Sequence, residues 1–427
     1  MSVRKIDIPL FFCFAIFLYP IVLGNIALIC YALVYGVAAA YIILNIRTLG
    51  LFRYIPNKQF LVSTAIVIML LCSIIVPIIL HTYDFSYVNE IVAIFRKFII
   101  VLFLTVMILK RSGNKSKDVL EVYCFYFCLL QCAYVLVSIV FLLVPQLKDF
   151  WKSILQENAF TQNLYHNFGY AARFGWMGFS GYRSSIDCSF GIVFANYLYS
   201  HKDKKGQSLI STRTYYTFLI FCFLGNMFYA RTGIIASGII MILAILVYRN
   251  IKPRYIVAFI LCISIFVISL LVIGDRVKSI HEWLHWAITP IIRIIKGEKE
   301  TGNTSMVIIT HRMMFMPELS TFIHGDGYFT DPVTHSYYRR TDLGFMRQLL
   351  FWGVPGMILT YGTTILSILW MKKSEFVFKL MLIICVVIFE FKGDMYYEVL
   401  PVFLILGLCE NSKRIKNHSL DLYGKII

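Results

Sequence analysis

Six basic residues stand where an apolar chain should not carry them. Arg96 and Lys97 interrupt the apolar run at 91–109, and Arg183, Arg231, Arg347 and Lys392 lie at or near the ends of other runs. A charge at the middle of a membrane helix costs at least about 2.5–3.5 kcal/mol, so such residues are functional by default. Any one of them could snorkel to the interface, or pair locally as Arg183 with Asp187 one turn later. Six at one membrane level point instead to an anionic ligand. A diphosphate suits them, because planar guanidinium forks bind phosphate oxygens in bidentate fashion.

Groups able to move protons gather on the same predicted side. The histidines there are His81, His166, His281, His285, His311, His324 and His335, and the acids are Asp326, Asp331, Asp342, Glu390, Asp394 and Glu398. A histidine or a carboxylate can serve as general base on a hydroxyl nucleophile. The stretch 165–182, YHNFGYAARFGWMGFSGY, alternates aromatics with glycines. It reads equally as a platform for sugar rings or as an interfacial aromatic belt. HEWLH (281–285) fits the zinc-protease pattern H-E-x-x-H, but no third ligand stands at a familiar spacing. Its neighbours Trp283 and Trp286 suit an amphipathic interfacial helix. Cys124, Cys128 and Cys132 recur on one helix face with no His or carboxylate beside them, which favours plain packing.

The elements that must position these groups are membrane helices. The 427 residues are 59% hydrophobic and 15% charged, whereas a soluble domain is nearer 45–50% and 25%. Apolar runs predict an all-α polytopic membrane protein with about twelve spans. They lie near 8–24, 26–46, 60–80, 91–109, 119–144, 181–199, 215–230, 233–248, 255–273, 343–371, 376–391 and 395–409. The whole chain, 1–427, reads as one membrane-embedded domain with two long connections, 145–180 and 274–341. The net charge of +17 concentrates in short segments between alternate spans, at 47–58, 110–117, 201–213, 249–254 and 372–373. The positive-inside rule then puts both termini in the cytoplasm and the two long connections outside. Topology thus accounts for the basic balance, and nucleic acid is not an expected partner. Residues 215–248 hold no polar loop, only YARTG at 229–233. Two short helices meeting at Arg231 keep the basic segments on one side; a single helix would reverse every later span. No signal-peptide cleavage pattern precedes a soluble domain, and the amino end reads as the first span.

Four segments carry a family likeness. YARTG and its apolar run (229–248) resemble a Ser-Arg-Thr-Gly stretch that opens a membrane helix. GDGYF (325–329) looks like a Gly-x-Gly element late in a large periplasmic loop. HSYYRRTDLGFMRQLLFWGVPG (335–356) is similar to that loop's exit, and FEFKGD (389–394) to a lysine-bearing segment near the end of the chain. On these segments, and on its layout, the chain resembles the bacterial O-antigen and capsule repeat-unit polymerases (the Wzy family) and the related O-antigen ligases. The resemblance implies a GT-C-like glycosyltransferase of the bacterial inner membrane, with a periplasmic active site. Its substrates would be undecaprenyl-diphosphate-linked repeat units, joined with inversion. A chain-length regulator, a flippase and membrane lipids would be its partners.

By that resemblance Arg231 binds the diphosphate, with Arg173, Arg183, Arg339, Arg340 and Arg347 as further candidates. His335 is the base or positions the acceptor, and Asp342 is the alternative base. Arginines acting as the cation leave no need for a metal, so no cofactor is expected. Ligases follow the loop histidine with asparagine; here Ser336 follows His335, which favours a polymerase. The competing classes are a ligase, a membrane zinc protease, and a transporter, although two matching halves with Gly/Pro-broken helices are not evident.

The charge map is testable directly. Alkaline phosphatase fusions at Asn158 and Asn303 should be active and one at Gly206 inactive. Inactivity at Asn303 alone would make 215–248 a single helix.

Overall fold

The computed structural model describes residues 6–49, 57–111, 119–155, 173–202, 206–248, 268, 313–371 and 375–407. In them the apolar runs are helices: α1 (Ile8–Leu18), α2 (Ala27–Leu49), α3 (Asn57–Ile79), α4 (Val88–Arg111), α5 (Val119–Leu143), α6 (Pro145–Leu155), α7 (Tyr182–Ser200), α8 (Thr212–Tyr229), α9 (Arg231–Tyr248), α10 (Leu319–His324), α11 (Gly344–Leu369), α12 (Phe376–Glu390) and α13 (Tyr396–Gly407). Among the described residues α2, α3, α4, α5, α9 and α11 are long and apolar enough to cross a membrane. Leu28, Leu44, Ile79, Leu246 and Ile358 are exposed on such helices. Water penalises that arrangement and lipid does not. This is a helical membrane protein.

Two expectations need adjusting. The helix expected over 8–24 ends at Leu18, because Pro20 disfavours a helical Tyr19. The connection expected over 145–180 contains structure: α6, then a hairpin of β1 (Phe174–Gly175) and β2 (Gly178–Phe179). The span expected at 255–273 (apart from Ile268), HEWLH, and His166, His281, His285 and His311 lie outside the described residues.

The chain divides into two compact units, Met1–Val37 with Glu121–Lys299 and Ala38–Leu120 with Glu300–Ile427. In the first, α7, α8 and α9 pack around the amide of Asn226. Its Nδ2 donates to Ser189 Oγ (3.0 Å) and Ser237 Oγ (2.6 Å), and its Oδ1 accepts from Ser185 Oγ (2.7 Å). Buried polar side chains without such partners would oppose packing, so the four fix one another's register. Ala230 is extended (φ −159°, ψ 138°) between α8 and α9. Residues 215–248 are therefore two helices, and the Asn226–Ser237 bond closes them into a hairpin. Gly233 makes that closure possible, because a Cβ there would collide with Ser185 Oγ and Asn226 Oδ1. Cys128 points its thiol at Gly191 O (3.2 Å), so the cysteine face of α5 packs on α7.

The described part of the aromatic–glycine stretch, 173–182, is buried or half-buried against the helices. Trp176 Nε1 donates to Tyr19 O (3.0 Å), Trp151 Nε1 to Trp176 O (2.9 Å), and Phe174 packs edge-on against Phe141. Residues 165–172 of that stretch lie outside the described residues. The hairpin ties α1, α5, α6 and α7 together.

In the second unit α11 is broken. Trp352 (φ −140°) and Gly353 (φ 72°, ψ −169°) leave the helical region just before Pro355. Only glycine takes the Gly353 conformation without strain, and proline has no N–H for the preceding turn. The carbonyls of Leu350 and Phe351 consequently need donors. They receive the amides of Asp326 (2.6 Å) and Gly327 (3.1 Å) from the segment after α10. Gly325 (φ 76°) passes against the Phe351 carbonyl, where no Cβ would fit. The α3–α4 turn holds the same segment. Asp84 Oδ2 accepts from the amides of Phe329 and Thr330, each at 2.7 Å, and Thr82 Oγ1 donates to Gly327 O (2.8 Å).

Packing at Gly233 gives a prediction with its own control. Gly233→Ala should destabilise the protein by about 1–3 kcal/mol through overpacking. Gly238→Ala, where nothing lies within 4 Å, should be neutral or gain up to about 1 kcal/mol of helix propensity. Unfolding in mixed micelles measures both. Equal effects would contradict the close approach of α9.

Candidate functional site

Three of the expected arginines come together in the first unit. Arg173 and Ser180 face each other across the feet of the β-hairpin, where Ser180 N donates to Arg173 O (2.7 Å). Arg183 follows three residues later in the first turn of α7, and Arg231 opens α9. Ser185 Oγ reaches Ala230 O (3.4 Å), so the amino-terminal ends of α7 and α9 abut. All three arginines are half-buried. Two helix amino termini add their positive dipole ends to these cations. Asp187, one turn into α7, accepts from the buried hydroxyl of Tyr19 (2.6 Å), which in turn accepts from Gln131 Nε2 (2.8 Å).

The remaining expected residues lie in the second unit. His335 is exposed in a turn at φ 52°, and Arg339 and Arg340 follow at φ 51° and 55°. Left-handed backbone at non-glycine residues costs about 1 kcal/mol or more each and persists only where surroundings impose it. Here Asp331 Oδ1 accepts from the amides of Val333 (3.0 Å) and Thr334 (2.8 Å), closing the turn that presents His335. Those backbone bonds, led by that of Thr334, hold the Asp331 carboxyl below its ordinary range. Arg339 pairs with Asp326 (3.3 Å) and lies over the rings of Tyr338 and Phe315. Asp342 is tied to Lys392 at 2.6 Å.

Arg347, in the first turn of α11, is 8% exposed. Its guanidinium is sandwiched 3.8 Å from the centre of the Phe329 ring and 4.3 Å from that of Tyr337. Cation–π contacts of this kind contribute up to about 2 kcal/mol when desolvated. Beside it is a network centred on Gln348. Tyr87 Oη (2.7 Å) and Trp352 Nε1 (3.0 Å) donate to Gln348 Oε1, so its Nε2 turns to Asp394 Oδ2 (2.7 Å). Tyr396 joins through Tyr87 at 2.6 Å. Burial pushes the Asp394 carboxyl above its ordinary range, while the Arg347 charge and the Gln348 bond hold it down. Glu390 is fully used: Met395 N donates to one oxygen (2.8 Å) and Tyr361 Oη to the other (3.0 Å).

Within α4, Lys97 pairs with Glu398 at 3.1 Å, so that intramembrane charge has a structural partner. Tyr87, Tyr361 and Asp84 carry no motif, and Gln348, inside the 335–356 segment, was not singled out within it. A lone glutamine beside an arginine in an apolar helix was the available signal for Gln348. Compared with models of protein families, with curated proteins and with solved structures, the chain matches none.

Proposed function

We propose that the protein polymerises undecaprenyl-diphosphate-linked oligosaccharide repeat units into a surface polysaccharide, by inverting glycosyl transfer at the periplasmic face of a bacterial inner membrane. The observation that carries the reading is the meeting of Arg173, Arg183 and Arg231 at two abutting helix amino termini in the first unit. A lipid diphosphate offers the complementary charge and lies at membrane level. The architecture in this reading is GT-C-like with about twelve spans.

The chemistry follows from the ligand. The diphosphate is a good leaving group, and positive charge placed where negative charge develops lowers the barrier. Arg231 binds the diphosphate, Arg173 and Arg183 support it, and no metal is needed for that task. Arg339, Arg340 and Arg347 are further anion-binding candidates in the second unit. His335, presented by its strained turn, positions the acceptor sugar. Elongation occurs when an acceptor hydroxyl displaces the diphosphate from the anomeric carbon, which inverts.

Reconstitution with lipid-linked repeat units tests this. Wild-type protein should give a ladder of chain lengths. Arg231→Ala should give none and lose binding of undecaprenyl diphosphate, at normal membrane levels. Arg231→Lys keeps the charge but loses the planar fork, so it should be impaired by tenfold or more. A full ladder from Arg231→Ala would remove that residue from the mechanism, and no ladder from wild type would defeat the reading.

A further inference from the structure

A helix on the surface of a soluble protein has two faces, one against the core and one toward water. The helix α6 has three. Lys148, Trp151 and Leu155 form the stripe that packs on the protein. Trp151 Nε1 donates to Trp176 O (2.9 Å), the Lys148 ammonium lies over the Phe174 ring, and Leu155 is buried with Phe141 and Phe174. Gln146, Asp149 and Ser153 form an exposed polar stripe. The third stripe is apolar. Leu147 and Phe150 are 41% and 60% exposed, and Ile154, one turn on from Phe150, is half-buried. Water disfavours such a stripe, which therefore calls for an apolar neighbour.

The course of the chain identifies that neighbour. Pro145 has no N–H with which to continue α5, so the helix ends at Leu143 and the chain turns at Val144. The Val144 carbonyl accepts from Leu147 N at 3.1 Å, which starts α6 with no intervening loop. A straight continuation would carry Leu155 about 20 Å past Phe141. Instead the two share one cluster, and Trp151 stacks on Phe141 with ring centroids 6.4 Å apart. The helix turns over the end of α5 rather than projecting from it. The α5 helix is of membrane length and exposes Leu136, Val140 and Leu143, at i, i+4 and i+7, as a lipid-facing row. Val144, Leu147 and Phe150 prolong that row past the turn.

We propose that α6 is an interfacial helix, with Leu147, Phe150 and Ile154 set into the bilayer surface at which α5 ends and Gln146, Asp149 and Ser153 left in water. The partner of the apolar stripe is lipid, because the stripe continues a row that lipid already covers. An amphipathic helix held in the interface plane gains from burying its apolar side among acyl chains while its polar side stays hydrated. This holds whatever reaction the protein performs. It also sets a level within the first unit. Phe174 is fixed against α6, and Arg173 is its neighbour in the chain. Docking α6 at the surface thereby holds Arg173 near the lipid headgroups.

Spin labels on the full-length protein in phosphatidylethanolamine–phosphatidylglycerol nanodiscs test this. Identically treated wild type, whose cysteines among the described residues are buried or half-buried, supplies the background. A label at Phe150→Cys should be relaxed by oxygen, which concentrates in lipid, and shielded from a water-soluble nickel chelate, at a depth of about 5–10 Å. A label at Asp149→Cys should show the reverse preference. Equal access of the chelate to both positions would overturn the proposal. So would shielding of Phe150→Cys from both reagents, which marks a protein partner or a second copy on the stripe. Leu147→Cys lies on the same stripe and decides by the same criteria if Phe150→Cys does not accumulate.

Discussion

The carbonyls left open by the break in α11 organise the second unit. A membrane-length helix cannot leave such groups to hydrocarbon, where each costs several kcal/mol, so irregular backbone survives only where protein satisfies it. The amides of Asp326 and Gly327 do this for Leu350 and Phe351. Their position requires the rest of the segment to lie across the helix, and Asp84 clamps it there through two further amides. Phe329 is thereby brought under Arg347, and the turn of 331–340 is held out to solvent with His335 at its tip. One backbone irregularity sets the placement of the loop, the arginine and the acid network.

The first unit solves a related problem with side chains. Asn226 joins three apolar helices by bonds to Ser185, Ser189 and Ser237. Because Ser185 sits two residues beyond Arg183 and Ser237 six beyond Arg231, this polar tie also fixes where both arginines start their helices. Stability and charge placement are linked there. A substitution that loosened the tie would disperse the cations as well as weaken the packing.

The helices were legible because apolar runs of membrane length have little choice of conformation. Expected boundaries such as 119–144 and 343–371 fall within a few residues of Val119–Leu143 and Gly344–Leu369. The break at Arg231 was legible too, from charge balance between segments rather than from any local turn signal. The hairpin at 174–179 was not. Its glycines and aromatics read equally as a sugar platform or an aromatic belt, and the contacts of Trp176 with Tyr19 and Tyr134 have no signal in sequence. The arginines announced themselves as charges in apolar surroundings. Gln348 and Tyr87 could not, since a neutral polar residue becomes informative only once its partner is known. Asp394 was visible only as one acid among several, and its bond to Gln348 appears only in the fold.

The central claim is that this chain lengthens lipid-linked glycans. The most direct measurement is the gel profile of lipopolysaccharide from the host after deletion of the gene. The account predicts a lipid core bearing one repeat unit, because assembly and export of single units continue without elongation. Long chains of unchanged distribution would contradict it. So would a bare core with polymer retained on the lipid carrier, which is the pattern expected of a ligase.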